Sequence, residues 1–314
     1  MSQTAQIEGI ELHLAHPDDV PARWIGSERV REQLIAAWMV VEERDIPLNP
    51  RLIGKPGVGK TTLAYSVAKE LGQEVYIVQC TMDTRPEDLL VTPVIAGAGQ
   101  IAYHASPLVT AMVRGGICIL DEGNRMSEKS WASLAPLLDM RRYVESVVAG
   151  LKVKAHADFR ICVTMNDDAS TYEIPEYIQS RLQPQIEVTF PNRAEELEIL
   201  RFNVPFAEET VLEYVADFLQ KAHGVNLPFS SRDGVNILRY AIKMGKRRGE
   251  PPETFLAEGI EAILGADGVG FLDSGIPADR MRGAHGTLRE LDDEEYEELE
   301  DFFDDEDEED GEPF

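Results

Sequence analysis

Basic residues are scarce in this sequence, and nowhere more so than at its end. The 314 residues carry 30 Lys and Arg against 57 Asp and Glu, a formal net charge of −27. Residues 290–314 hold 17 acidic side chains and no basic one; without them the balance is 40 acidic to 30 basic. Neither the body nor the tail offers the cationic surface on which phosphate backbones are bound, so a nucleic-acid partner is disfavoured. Long apolar runs are missing too. None approaches the roughly 18 residues of a membrane span, and residues 1–9 lack the basic and apolar regions of a secretory signal, which makes the cytosol the default compartment. Cysteine is sparse: Cys80, Cys118 and Cys162 are the only three. Each sits in an apolar run that reads as a strand, so buried reduced thiols are expected rather than disulfide or metal chemistry. No internal repeat is evident. A hydrophobic content of 43% with 28% charged residues is ordinary for a globular protein, and the length suggests about two domains.

The most informative stretch that is present is Gly54-Lys55-Pro56-Gly57-Val58-Gly59-Lys60-Thr61, followed by Thr62. It matches G-x-x-x-x-G-K-[ST], the phosphate-binding loop. Glycines allow consecutive backbone N–H groups to turn inward as an anion nest. Lys60 is then placed to reach β- and γ-phosphates and the Thr61 hydroxyl to ligate Mg²⁺. Leu63, Ala64, Val67, Ala68 and Leu71 recur at helical spacing, which predicts a helix whose positive dipole end faces the phosphates, with Gly72 as its cap.

Along the chain, residues 1–23 read as irregular, with Pro17 and Pro21 as breakers. A helix is predicted from Ser27 and Glu28 through Arg44. Leu52-Ile53, residues 75–79, 117–120, 159–165 and 186–190 read as strands. Continuous rather than alternating hydrophobicity in Ile117-Cys118-Ile119-Leu120 predicts a strand buried on both faces, as in a parallel α/β sheet. Residues 84–90, 107–114, 128–138 and 175–180 read as helices between these strands. Two hairpins are expected, one around Gly97-Ala98-Gly99 and one around Gly150. After Pro191 the strand signals stop, and four helices are predicted at 194–202, 208–222, 231–244 and 253–264. The expected fold is a doubly wound parallel sheet with a C-terminal all-α lid. Its domains are an N-terminal extension (1–23), an α/β nucleotide-binding domain (24–191), the helical lid (192–265), a loose connector (266–289) and an acidic tail (290–314).

Open α/β sheets bind ligands beyond the carboxyl ends of their strands. Asp121 and Asn166 both stand there, each directly after an apolar strand. Asp121 is the expected holder of Mg²⁺ through its water shell, and Glu122 a candidate general base for an attacking water. Asn166 could orient that water or touch the γ-phosphate.

With these residues in place, the chain resembles the AAA+ ATPases, and three features resemble their MoxR branch. Asp121-Glu122-Gly123-Asn124-Arg125-Met126 is close to that group's D-E-x-N-R-[AMS]. The hairpin near 91–104 precedes Pro107-Leu108, and Leu137-Leu138-Asp139-Met140-Arg141-Arg142 resembles the family's L-L-E-x-R-x. The resemblance covers roughly residues 24–265. Ser106 stands where the family usually has Gly, and Ser180-Arg181-Leu182 where it usually has D-R-F. The resemblance implies an ATP-hydrolysing ring, a hexamer, in which Arg181 acts as the finger for a neighbour's nucleotide and Arg232 as the lid's sensor arginine. Arg125 could serve across a subunit boundary or be an exposed structural residue. The implied function is a chaperone-like motor that remodels or activates a protein client, one with a von Willebrand factor A domain or a metal centre. The rival readings are a nucleotide-dependent assembly module with little turnover and a DNA-directed AAA+ protein. A GTPase is disfavoured because no Asn-Lys-x-Asp segment occurs. For the tail, like charges at i and i+4 oppose a helix. Disorder and docking on a basic partner both stay open.

Overall fold

The computed structural model describes residues 4–95, 100–167 and 174–275, without the side chains of the last three. The chain divides into two compact units, the first ending at Thr189 and the second beginning at Phe190.

The first unit opens with a correction. Residues 1–23 were expected to be irregular, but β1 (Thr4–Ile7) and β2 (Ile10–His13) form an antiparallel hairpin. Its two-residue turn, Glu8-Gly9, has positive φ at both positions (49° and 84°). That is the geometry whose twist matches paired strands, and Gly9 makes it accessible. The rest of the segment is pinned as well: Ile77 N–H donates to Asp18 at 2.7 Å and Val20 N–H to the Tyr65 hydroxyl at 2.8 Å.

Helix α1 (Glu28–Trp38) ends six residues short of the predicted Arg44, with Met39 already extended at φ −68° and ψ 143°. The cause is tertiary. Arg160 donates through Nε to the Trp38 carbonyl at 2.6 Å, taking the acceptor that the next helical turn would need, and the Trp38 indole donates to Ile161 O at 3.1 Å.

There follow β3 (Arg51–Gly54), α2 (Lys60–Glu70), β4 (Val75–Gln79), the single turn α3 (Pro86–Leu89), β5 (Val91–Ile95) and β6 (Ile101–Ala105). Strands β5 and β6 pair antiparallel as the first expected hairpin; its Gly97-Ala98-Gly99 tip lies outside the described residues. Strand β2 pairs parallel with β6, so a four-stranded sheet runs β1-β2-β6-β5. Helix α4 (Pro107–Arg114) matches its predicted span, with the Ser106 hydroxyl accepting from Val109 N–H at 3.0 Å and Gly115 in the left-handed region at the other end. Next come β7 (Ile117–Asp121), α5 (Glu128–Leu134), the hairpin β8 (Tyr143–Ser146) and β9 (Leu151–Lys154), β10 (Arg160–Asn166), α6 (Glu176–Gln179) and β11 (Gln185–Glu187). Helices α5 and α6 and strand β11 are each shorter than predicted.

The central sheet has the order β11-β3-β10-β7-β4, every pair parallel. Ile117, Cys118, Ile119 and Leu120 are all 0% exposed. Successive strand side chains face opposite ways, so both faces of the sheet are covered. The order matters for the site. Strand β10 runs between β3 and β7 with Asn166 beside Gly54 and Val163 beside Leu120. The carboxyl ends of three strands distant in sequence thus come side by side.

The second unit is helical: α7 (Arg193–Asn203), α8 (Glu209–Gly224), α9 (Ser231–Arg248) and α10 (Leu256–Gly275). Asn192 and Glu195 form a capping box at α7, and Ser230 and Asp233 one at α9; each satisfies orphan N–H groups of the first turn. Residues 266–275 were assigned to a loose connector, yet α10 continues through them after a kink at Gly265 (φ 68°, ψ −147°). Phe271 and Leu272 explain it, being buried among Phe218, Phe229 and Ile260. The remainder of the connector and the acidic tail lie outside the described residues.

Candidate active site

The phosphate loop joins β3 to α2. Gly54 has no alternative: a Cβ there would stand 2.1 Å from the Val188 carbonyl oxygen. Gly59, which caps α2, has φ 92°, a region that side chains avoid. The Lys60 ammonium is buried, 6% exposed, and donates to the carbonyls of Gly54 and Lys55 at 2.8 Å each. Thr61 and Thr62 follow in the first turn of α2.

Thr61 Oγ1 donates to Asp121 Oδ1 at 2.6 Å, and Thr164 Oγ1 donates to the same oxygen at 2.6 Å. Thr164 in turn accepts from Glu122 N–H at 3.0 Å. One hydroxyl on the central strand therefore ties the two consecutive acids together. Glu122 itself has φ 55° and ψ 42°, a left-handed conformation that costs a residue with a side chain roughly 1–2 kcal/mol and concentrates at functional sites. Beyond it Gly123 is required, since a Cβ would meet Val163 Cγ1 at 2.4 Å.

The turn sends the Glu122 carboxylate away from Asp121. It accepts from Asn166 Nδ2 at 3.0 Å and from Gln79 Nε2 at 3.3 Å, and it pairs with Arg125 Nε at 2.7 Å. Asn166 is 8% exposed, and its carbonyl accepts from Asn124 Nδ2 at 2.9 Å. Arg125, for which a role across a subunit boundary and an exposed structural one were both left open, pairs with Glu122 of its own chain. Gln79 was not anticipated: it ends β4, at the same edge of the sheet, and carries no motif that marks it. Trp24 was also missed. Its ring would lie 3.2 Å from a Cβ at Gly59, its backbone N–H donates to the Ser66 hydroxyl at 2.8 Å, and its buried indole Nε1 has no hydrogen-bond partner among the described residues.

Lys60, Thr61, Asp121, Glu122 and Asn166 thus converge. Arg181 stands apart from them: it follows α6, donates to the Tyr177 carbonyl and lies 3.5 Å from Asp139. Arg141 beside Asp139 is the main cause holding that carboxyl down at about 2, with Arg181 adding to it. Arg232 belongs to the second unit, exposed in the first turn of α9. Cys80, Cys118 and Cys162 are the buried, reduced thiols expected, and burial pushes the Cys80 thiol up to about 12.

A hard dication fits the Thr61–Asp121 pair, because a hydroxyl and a carboxylate oxygen 2.6 Å apart are the donors Mg²⁺ uses. Among the described residues no cluster of three or more His, Cys, Asp or Glu could hold a metal. Mg²⁺ needs none, since it keeps waters and phosphate oxygens as ligands.

Taken together, the five-stranded order, the loop after β3 and the acids after β7 define a nucleotide-binding P-loop protein. Residues 51–182 match the AAA domain of the dynein-related subfamily. The NorQ protein of Paracoccus denitrificans is 29% identical over 53% of this chain and 61% of its own length. An uncharacterized protein of Staphylococcus aureus is 29% identical over 39% of this chain and 48% of its own. The chain therefore spans only about half to three fifths of these relatives. Among solved structures, the RuvB Holliday junction branch migration motor of Thermotoga maritima superposes with a TM-score of 0.53 at 18% identity, over 78% of this chain and 72% of that one. NtrX from Brucella abortus, in complex with ADP, gives 0.50 at 17% identity, over 71% and 51%. At such identities these two likenesses speak for the fold alone. The chain is similar to AAA+ proteins of the MoxR type, with the AAA domain matched over residues 51–182. That family is one of P-loop NTPases, typically ATPases that assemble as rings. Among the described residues no helix is long and apolar enough to cross a membrane.

Proposed function

We propose that this chain hydrolyses ATP with Mg²⁺ and uses the cycle to remodel or activate a protein client from within a ring, a hexamer. The observation that carries the reading is the divergence of two adjacent acids, Asp121 towards Thr61 and Glu122 towards Asn166. Metal holding and proton abstraction need different surroundings, and the left-handed turn at Glu122 supplies them.

In this mechanism the loop N–H groups and Lys60 bind the β- and γ-phosphates, Lys60 leaving the carbonyls of Gly54 and Lys55. Thr61 and Asp121 would hold Mg²⁺, which would neutralise charge on the phosphate oxygens. Glu122 accepts a proton from the attacking water at Oε1 or Oε2, and Asn166 orients that water beside it. Arg181 is supplied in trans to a neighbour's γ-phosphate, and Arg232 senses nucleotide from the helical unit. A protein client, with a von Willebrand factor A domain or a metal centre, is favoured by two hairpins of the first unit, β5–β6 and β8–β9. Ile95 and Val147 are exposed there at 81% and 90%, the kind of apolar surface that meets another protein.

One observation favours a second reading, an assembly module with low turnover. Gln79 and Asn166 donate to the Glu122 carboxylate and Arg125 pairs with it, so the group must leave these partners before it can face a water.

Lys60→Ala tests the loop assignment. Calorimetry should show ATP affinity abolished or severely weakened, because the phosphates lose the loop's cation nearest them. A folded variant with wild-type affinity would overturn it.

A further inference from the structure

Helix α9 carries a cationic stripe that the nucleotide site does not use. Arg239, Lys243, Lys246 and Arg247 stand at i, i+4, i+7 and i+8, one face of a helix, and all four are exposed. Arg248 is exposed beside them. Some other surface cations are paired: Arg31 with Glu28 and Glu70, Arg193 with Asp217, Arg201 with Glu209. Among the described residues Lys243, Lys246, Arg247 and Arg248 have no ion pair. Cations in the last turn offset the helix dipole, but that effect fades within a turn, so Arg239 and Lys243 need another reason. The stripe has an apolar neighbour. Arg239 Nη2 donates to the Asn203 carbonyl at 3.3 Å, at the end of α7, and next to Asn203 Phe202 is 43% exposed and, three residues on, Phe206 66%.

The chain itself holds a segment of the complementary composition. Residues 290–314 carry 17 acids and no base, interrupted by Leu291, Tyr296, Leu299, Phe302 and Phe303. The described chain ends in α10, which packs on α9 in the same unit. The intervening residues 276–289 can span up to about 45 Å when extended, while α9 is about 27 Å long. We propose that residues 290–314 dock on the α9 stripe of their own chain, acids on the cations and aromatic residues against Phe202 and Phe206. Exposed ion pairs are individually weak, so the docked state is reversible and screened by salt. It keeps an exposed cationic face from other acidic partners until something displaces the tail.

Zero-length carbodiimide cross-linking of the full chain, mapped by mass spectrometry, tests this. Cross-links should join Lys243 and Lys246 to acids of 290–314, within one chain in a mixture of ¹⁴N and ¹⁵N protein. Their yield should fall about tenfold between 0.05 M and 1 M NaCl. The yield at Lys246 should fall to a similar degree in Lys243→Glu with Arg247→Glu, and severalfold in Phe302→Ala with Phe303→Ala, which leaves α9 untouched. Lys152→Glu with Lys154→Glu, on the hairpin of the other unit, should change nothing. Cross-links spread over all surface lysines, found only between copies, or indifferent to the Phe302 and Phe303 changes would overturn the proposal.

Discussion

Arg125 and Glu122 form an ion pair at 2.7 Å across one short 3-10 turn, within a single chain. The carboxylate proposed to take a proton from water is therefore held by a permanent cation, with Gln79 and Asn166 on its other lone pairs. The pair fixes the direction of the carboxylate, and releasing it frees the group to turn towards a water. Arg125→Ala is expected to raise ATP turnover at saturating nucleotide by about threefold to tenfold, measured as phosphate release. A fall as deep as that of a Glu122 variant would instead make Arg125 part of the chemistry.

The finger assignment needs two chains. Arg181 is engaged with Asp139 and Tyr177 of its own chain and is proposed to stabilise charge on a neighbour's γ-phosphate. Arg181→Ala and Lys60→Ala proteins should each be inactive alone. Mixed rings should recover turnover wherever an intact loop faces an intact finger. If mass analysis confirms mixed rings and turnover stays absent, Arg181 does not act in trans.

Glu196 gives a stability prediction independent of nucleotide. It is 0% exposed in α7. Burial pushes its carboxyl up from 4.5 to about 7, with the Ser231 hydroxyl offsetting part of the rise. An acid with a higher pKa folded than unfolded holds its proton more tightly in the native state. Its contribution is therefore most favourable below the unfolded value and is lost as pH rises through about 7. A shift of that size corresponds to about 3 kcal/mol. Glu196→Gln should raise the thermal midpoint by roughly 6–12 °C at pH 8 and leave it nearly unchanged at pH 5. An equal effect at both pH values would show that Glu196 does not titrate in the folded protein.

What could be read from the sequence was what is local in it. The Gly54–Thr61 spacing and the apolar run ending at Asp121 each carry their meaning within a few residues, and Asn166 announces itself by ending another such run. The grip on Glu122 does not: Gln79 reaches it only because β4 and β7 are neighbours in the sheet. Trp24 comes beside Gly59 through a segment with no periodic pattern. The end of α1 was misread because Arg160, far along the chain, occupies the Trp38 carbonyl. The hairpin of residues 4–13 was missed because two four-residue strands hardly show alternation, although Glu8-Gly9 was a usable turn signal.

The central claim is that Glu122 does the chemistry and not the binding. Glu122→Gln keeps the shape of the side chain and removes its basicity, so ATP should bind with near wild-type affinity in calorimetry. Hydrolysis by the same preparation should fall by roughly 10²–10⁴, the usual worth of a general base. Unchanged turnover, with the substitution verified, would contradict the account.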